Sequence, residues 1–321
     1  MYKDHIVKAR FTDSVVMMGA IAAVIFSITL ICGVGDSRLS NLMGPIVLDL
    51  QSPLARNLAV GGTFTLTAML NLFLLGRFPL RAQIITVWFE LLVLFLLFFD
   101  TFNLSYSFIA TKVGFMITQG VFTTVYVSAI SIAIAFVLAL LGATARLSSN
   151  GFAIAIASFY TSFFRGVPLL IQIYLIYLGI PQLGYVVGAV PAGILALSLC
   201  YGAYMTEIFR AGISSISRGQ WEASRAIGLT PFQTMTRVIL PQSMRLIIPP
   251  TGNQFISMLK DSSLVSVIGV WELMFLARTQ GRAEFRHLEM LITAAVLYWL
   301  LSIVLETVQA RLEKHFNRAH R

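Results

Sequence analysis

Asn253, Gln254, Ser257 and Asp261 recur at spacings of three and four within an otherwise apolar stretch, so they share one face of a helix. One carboxylate, two amides and a hydroxyl form a set that binds by charge and hydrogen bonding. Such groups are costly in hydrocarbon, so the face is expected to look into a helix bundle or a hydrated cavity, where it would line a pathway. A plainer account has Lys260 and Asp261 neutralising one another while the amides glue helices together. Lys260 is read as structural. Pro249 and Pro250, just upstream, are expected to interrupt the helix that enters this segment.

A second polar group lies at 219–241, GQWEASRAIGLTPFQTMTRVILP. Gly219 can start a short helix through Ile227, and Gly228 suits the left-handed residue that ends it. Thr230 can cap a second helix with Pro231 at its first position, where the missing N–H costs nothing. Trp221, Arg225 and Gly228 fall on one side of the first helix, and Glu222 and Ala226 on another. Two helices meeting at a tight corner can serve as a lever that carries the displacement of a docked partner into the rest of the chain. The plainer account is a loop that packs on its own bundle.

The elements that must position these groups are apolar. The chain is 57% hydrophobic and 12% charged, its mean hydropathy is +0.83, and several runs of about 20 residues are long enough to cross a bilayer as helix. Alternating segments of barrel type are absent, so the fold class is all-α and integral to the membrane. Eight spans are expected, near 15–34, 58–75, 82–99, 114–141, 166–180, 190–206, 252–270 and 288–305.

With the N-terminus in the cytoplasm, 16 of the 23 Lys and Arg residues fall on the cytoplasmic side and six outside. Retention of basic residues on that side supports an N-in, C-in topology and places 219–241 in the cytoplasm. The net charge of +9 then reflects contact with anionic membrane lipid and gives no support to nucleic-acid binding. The exception is Arg278, Arg282 and Arg286 in an expected outer loop, 271–287, partly balanced by Glu272 and Glu284; this loop is a candidate contact for a soluble partner.

The first span is too long for a signal-peptide core and is read as a retained anchor. Cys32 and Cys200 are distant from each other and read as small buried hydrophobes. His5, His287, His315 and His320 all fall outside the expected spans, so no catalytic residue and no metal site is expected.

Residues 1–113 hold three spans joined by short links, and 114–321 hold nearly all the local signals, which sets a boundary near Lys112. In the second part, Glu222-Ala223-Ser224 with Gly228 and Ile239-Leu240-Pro241 resembles the EAA signature of permease subunits of binding-protein-dependent ABC importers, with the coupling loop at about 212–241. FRGVPLLIQIYLIYLGIP (164–181), EIFRAGISSISRGQWEASRAIGL (207–229) and NQFISMLKDSSLVSVIG (253–269) resemble the polar amino acid uptake permeases. The likeness covers about 114–321, and Ser224 is a small substitution at the third EAA position. Permeases of this kind are built on a five-helix unit, so the spans in 1–113 have no counterpart.

The resemblance implies a type I importer core in the C-terminal five helices, in the bacterial cytoplasmic membrane. It implies a cytoplasmic ABC ATPase dimer, a second permease subunit (identical or homologous), an extracytoplasmic solute-binding protein and an amino acid substrate. The chain has no G-x-x-x-x-G-K-[ST] loop, so it binds no cofactor of its own, and ATP with Mg belongs to the partner ATPase. Glu222, Ala223, Arg225 and Gly228 are the ATPase-coupling residues by motif; whether Glu222 bonds to the ATPase or to backbone donors at the corner stays open. Asn253, Gln254, Ser257 and Asp261 are the pathway residues, with Asp261 for an ammonium group and the amides for a carboxylate or side chain. The uncharged Gln254 disfavours a strongly cationic substrate.

Other polar residues are read as structural. Thr123, Thr124, Ser128 and Ser131 either line a route or bond to their own backbone, and the second is expected. Glu207 and Arg210 are expected to form an ion pair at a helix end, and Arg165 to begin the fifth span and reach toward headgroups. Glu90 is an ionisable group inside an apolar span, either protonated, paired or beside water. An ATP-independent secondary transporter or channel is the alternative, but it has no need of the 219–241 corner.

Overall fold

The computed structural model describes residues 14–33, 35, 52–100, 102 and 104–318. Lys3, Lys8, Arg10, Arg38 and Arg321, used in assigning topology, lie outside them. The regular structure among the described residues is entirely helical. Two compact units divide between Asn103 and Leu104.

In the first unit, α1 (Val15–Ile31) starts at Ser14, whose Oγ accepts from Met17 N at 3.3 Å. It packs on α2 (Pro53–Leu75), where a methyl on Gly61 would lie 2.7 Å from Thr29 Oγ1, so only glycine admits this approach. Asn71 Nδ2 of α2 donates to Glu90 Oε1 of α3 (Leu80–Asp100) at 2.8 Å. Trp88, Phe89, Leu91 and Leu94 of α3 are exposed, as expected of a helix facing lipid.

The second unit begins with α4, a continuous helical stretch from Tyr106 to Leu147 that includes one wider turn at Met116–Val121. The expected boundary near Lys112 therefore falls inside a helix. The lone charge breaks nothing because Lys112 Nζ pairs with Glu284 Oε1 at 3.0 Å and lies over the Phe108 ring.

α5 (Gly151–Gly166) and α6 (Leu169–Leu183) meet at 108°. Asn150 Oδ1 caps α5 through Phe152 N and Ala153 N, and Pro168 holds Val167 extended, which makes the bend. The apolar pattern predicts a link over 142–165 and a span that starts at 166. The link contains a helix of 16 residues, and residue 166 is the middle of a broken helix pair.

α7 (Ala189–Ser214) is the centre of the unit and packs along α4. Ala135, Ala139 and Ala143 bring a small-residue face to Ala192, Ala196 and Cys200 in one buried cluster. A Cβ on Gly142 would stand 2.4 Å from Thr206 Oγ1, so the Thr206 side chain seats against the bare glycine. Of the hydroxyls on α4, Ser128 Oγ bonds within its own helix as expected, to Thr124 O at 2.7 Å, whereas Ser131 Oγ donates to Ile194 O of α7 at 3.5 Å, Thr124 Oγ1 accepts from Leu273 N at 3.3 Å and Thr123 Oγ1 accepts from Gln119 Nε2 at 3.3 Å. Glu207 pairs with Arg210 at 2.9 Å, and Arg146 joins them at 3.5 Å.

α8 (Arg218–Ala226) leads to α9 (Pro231–Ile268), which ends in a tightened stretch, Ser262–Ile268, and at Gly269 with φ +87°. The interruption expected at Pro249-Pro250 does not occur; the helix Leu240–Asp261 runs through both prolines. The missing N–H groups of the two prolines remove the intrahelical donors to the Arg245 and Leu246 carbonyls, and the neighbouring carbonyls take side-chain donors, Thr251 Oγ1 to Ile247 O at 2.7 Å and Gln309 Nε2 to Pro249 O at 3.1 Å. The expected outer loop 271–287 is instead mostly α10 (Leu273–Ala283), before α11 (His287–Arg318) closes the unit.

Among the described residues, five helices are long and apolar enough to cross a membrane: α2, α3, α4, α7 and α11. The bent pairs α5–α6 and α9–α10 bring the number to seven if each counts as one span, and α1 is a shorter apolar helix.

Candidate functional site

Gln254 and Asp261 of α9 line one cavity of about 360 Å³ together with Tyr201 and Tyr204 of α7 and Arg165 at the end of α5. Residues seven apart on an α-helix are within about 20° of each other around the axis, which aims Gln254 and Asp261 the same way. Asn253 stands about 100° from Gln254 and looks elsewhere. Its Oδ1 accepts from Gln309 Nε2 of α11 at 3.0 Å, the helix-gluing contact considered above. Ser257 is half-buried and is not among the residues lining the cavity. The four-residue face thus divides, two toward the cavity and one toward α11.

Tyr201 Oη donates to Asp261 Oδ2 at 2.6 Å and fixes the carboxylate. Lys260 and Asp261 form no ion pair, so the mutual neutralisation of the plainer account is absent. Arg165, expected near headgroups at the start of a span, sits at the far end of α5, about 21 Å along that helix from its first residue. Its guanidinium carbon lies 5.5 Å from the Tyr204 ring centroid. Arg165 and Asp261 share the cavity without pairing to each other. A space with a guanidinium and a carboxylate that are not paired with each other suits a molecule bearing both signs of charge.

Arg165, Tyr201 and Tyr204 were missed as site residues. The two tyrosines carry a signal that could have found them, since they are polar-tipped rings three apart in an apolar helix. Arg165 carries none, because only the bend at Val167–Pro168 brings it here.

The corner at 219–241 is built as its sequence suggests. Leu229 N donates to Ser224 O and Gly228 N to Arg225 O, both at 3.0 Å, with Gly228 at φ +79°, a glycine-closed helix end. Gln233 N donates to Thr230 Oγ1 at 3.3 Å, and Thr230 N to Gln233 Oε1 at 3.0 Å, a reciprocal cap. Gln242 Nε2 donates to Gln220 Oε1 at 3.0 Å and fastens α8 to α9. Ser224 is buried and Trp221 half-buried against the core, while Glu222, Ala223, Arg225 and Gly228 stay exposed. The corner is anchored by one face and open on the other.

Residues 135–318 match the family described as "Binding-protein-dependent transport system inner membrane component". The chain belongs to this family. Among its relatives, the "Probable amino-acid ABC transporter permease protein YckA" of Bacillus subtilis is 38% identical over 200 residues, 62% of this chain and 88% of that one. The "Arginine transport system permease protein ArtQ" of the same organism is 36% identical over 213 residues, 66% of this chain and 97% of that one.

A solved "amino acid ABC transporter with histidines" aligns with a TM-score of 0.62 at 33% identity, covering 66% of this permease and 99% of that chain. A "MetNI methionine ABC transporter" chain, at 22% identity and TM-score 0.56 over 64% of this permease and 97% of its own length, shares the fold. The permease is therefore the transmembrane subunit of an ATP-driven importer, a multi-pass protein of the bacterial inner membrane. It works with ATPase and binding-protein partners, as its family does.

Proposed function

We propose that the permease moves a polar amino acid inward by alternating access, with Arg165 and Asp261 meeting the two charged ends of the zwitterion. The observation that carries this reading is the presence of two opposite charges, unpaired with one another, in a single cavity at the bend between α5 and α6. Its volume of about 360 Å³ lies within the range of ligand pockets, ~300–1,000 Å³. Asp261 takes the ammonium group and Arg165 the carboxylate, while Gln254 reads the side chain. Two relatives named for arginine and for L-cystine transport support an amino acid as the class of substrate. A guanidinium at the cavity adds to the case against a strongly cationic substrate for this chain.

Coupling falls to Glu222, Ala223, Arg225 and Gly228 on the exposed side of the α8 corner. The ATPase dimer docks there from the cytoplasm, and its closure shifts α8 and, through Gln220–Gln242, the start of α9, whose helical body ends at Asp261. ATP and Mg bind that partner and not this chain. The N-terminus and the corner lie in the cytoplasm, a second permease completes the pathway, and a solute-binding protein delivers substrate from the other side.

Purification with the native partners and reconstitution in liposomes tests the reading. Polar amino acids presented with the binding protein are expected to stimulate ATP hydrolysis and to accumulate inside. Absence of a copurifying ATPase, or uptake without ATP, would overturn it in favour of a channel or secondary transporter.

A further inference from the structure

We propose that Arg278, Arg282 and His287 form an acid-binding notch on the outer face that receives carboxylate side chains of the solute-binding protein. This rests on the importer reading above and names the surface that reading leaves unassigned.

A second cavity, of about 400 Å³, is lined by Arg278, Thr279 and Arg282 of α10, His287 at the start of α11, and Tyr174 and Ser266. Arg278 and Arg282 are one helical turn apart and share a face. The carboxylates near them are already taken. Glu272 is fully buried and accepts from Met274 N at 2.9 Å, Phe275 N at 2.7 Å and the Tyr298 hydroxyl. Glu284 is held by Lys112 at 3.0 Å, and Glu289 by Arg286 at 2.9 Å. Among the described residues no carboxylate pairs with Arg278 or Arg282, and both are exposed. A cation near a helix C-terminus is favoured by the helix dipole, which accounts for Arg282 but not for Arg278 in the middle of α10.

The side of the membrane follows from length. Between the α8 corner and α10, α9 rises on the order of 50 Å, more than a hydrocarbon core is thick. α10 is thus at the opposite end from the ATPase dock, on the face where retained arginines run against the insertion bias. Unpaired cations kept there are complementary to an acidic protein surface.

The notch is also placed to report docking. Ser266 and Val267 line it, and the tightened stretch Ser262–Ile268 joins it directly to Asp261. Leu273 N to Thr124 Oγ1 and Glu272 to Tyr298 lock the start of α10 to α4 and α11.

The test uses the full complex in liposomes, with Arg278→Glu/Arg282→Glu against wild type, scored for copurification with the ATPase to confirm assembly. ATP hydrolysis is measured across binding-protein concentration and ionic strength. The double variant is expected to raise the half-saturating binding-protein concentration by about tenfold or more at low salt and to lose most of the wild-type salt dependence. Arg286→Gln, whose parent is already paired, keeps the wild-type value. An unchanged half-saturation in the double variant overturns the proposal. So does an unchanged binding-protein affinity accompanied by a shift in half-saturation for the amino acid, which would make the notch a substrate vestibule. Wild-type complex that the binding protein does not stimulate would sink the importer reading itself, and this proposal with it.

Discussion

Tyr201 Oη and Asp261 Oδ2 are 2.6 Å apart, and this hydrogen bond joins the middle of α7 to the end of the helical body of α9. The carboxylate therefore reaches the cavity already oriented, with its position set by a helix that is itself buried along most of its length. Tyr201→Phe keeps the ring and removes the donor. A hydrogen bond to a charged group is worth about 1.5–3 kcal/mol, so half-saturation for uptake is expected to rise roughly tenfold or more. Asp261→Asn, which also removes the charge, is expected to lose more. Initial uptake rates in proteoliposomes measure both, and wild-type kinetics in a fully assembled Asp261→Asn complex would count against the ammonium role.

Arg165 and Gln254 bear on selectivity. Arg165→Lys keeps a positive charge but loses the planar fork that lies over Tyr204, so transport is expected to fall even though the charge remains. Gln254→Glu adds a second anion on the face that carries Asp261 and is expected to shift preference toward cationic amino acids. Competition uptake across acidic, neutral and basic amino acids reads the shift; an identical profile removes Gln254 from the pathway.

The α8 corner separates folding from coupling. Glu222→Lys and Gly228→Asp change exposed groups, so membrane insertion and permease assembly are expected to persist while uptake loses its link to ATP hydrolysis. Gly228→Ala is the control: no atom would meet its Cβ within 4 Å, so it bears only the left-handed strain of about 1–2 kcal/mol. ATPase copurification and uptake measured side by side decide the matter, and unchanged uptake in both charge variants would refute docking at this corner.

Glu272 is an anchor whose loss is structural. Glu272→Ala leaves two backbone N–H groups at the start of α10 and the Tyr298 hydroxyl without their acceptor. With about 1–3 kcal/mol for each buried group left unsatisfied, stability is expected to fall by about 3 kcal/mol or more. Thermal unfolding of the purified protein in detergent should show a clear drop, and an unshifted transition would contradict the anchoring role.

Much of this protein follows from order and type of residue alone. Long apolar runs force helices because lipid offers the backbone no partners, and the grammar of Gly228, Thr230 and Pro231 encodes a corner that the structure forms with the expected caps. These are local constraints, satisfied within a few residues, and so can be read along the chain. The same local reading placed Asn253 beside Gln254, because a stripe at spacings of three and four does not say which neighbour each member meets. It broke a helix at Pro249-Pro250, where the helix Leu240–Asp261 runs through both prolines and Gln309 of α11 packs against it with a donor to the Pro249 carbonyl. It held Glu272 to be one of the balancing charges of an outer loop, when Thr124 and Tyr298 hold that turn inside the bundle. It sent Arg165 toward headgroups, when one bend of 108° turns it toward Asp261. Helix formation, capping and membrane residence were decided by the sequence itself. Which helix faces which, and therefore which charges share a cavity, was decided only by the tertiary structure, because those contacts join residues many turns apart that no local periodicity can bring together.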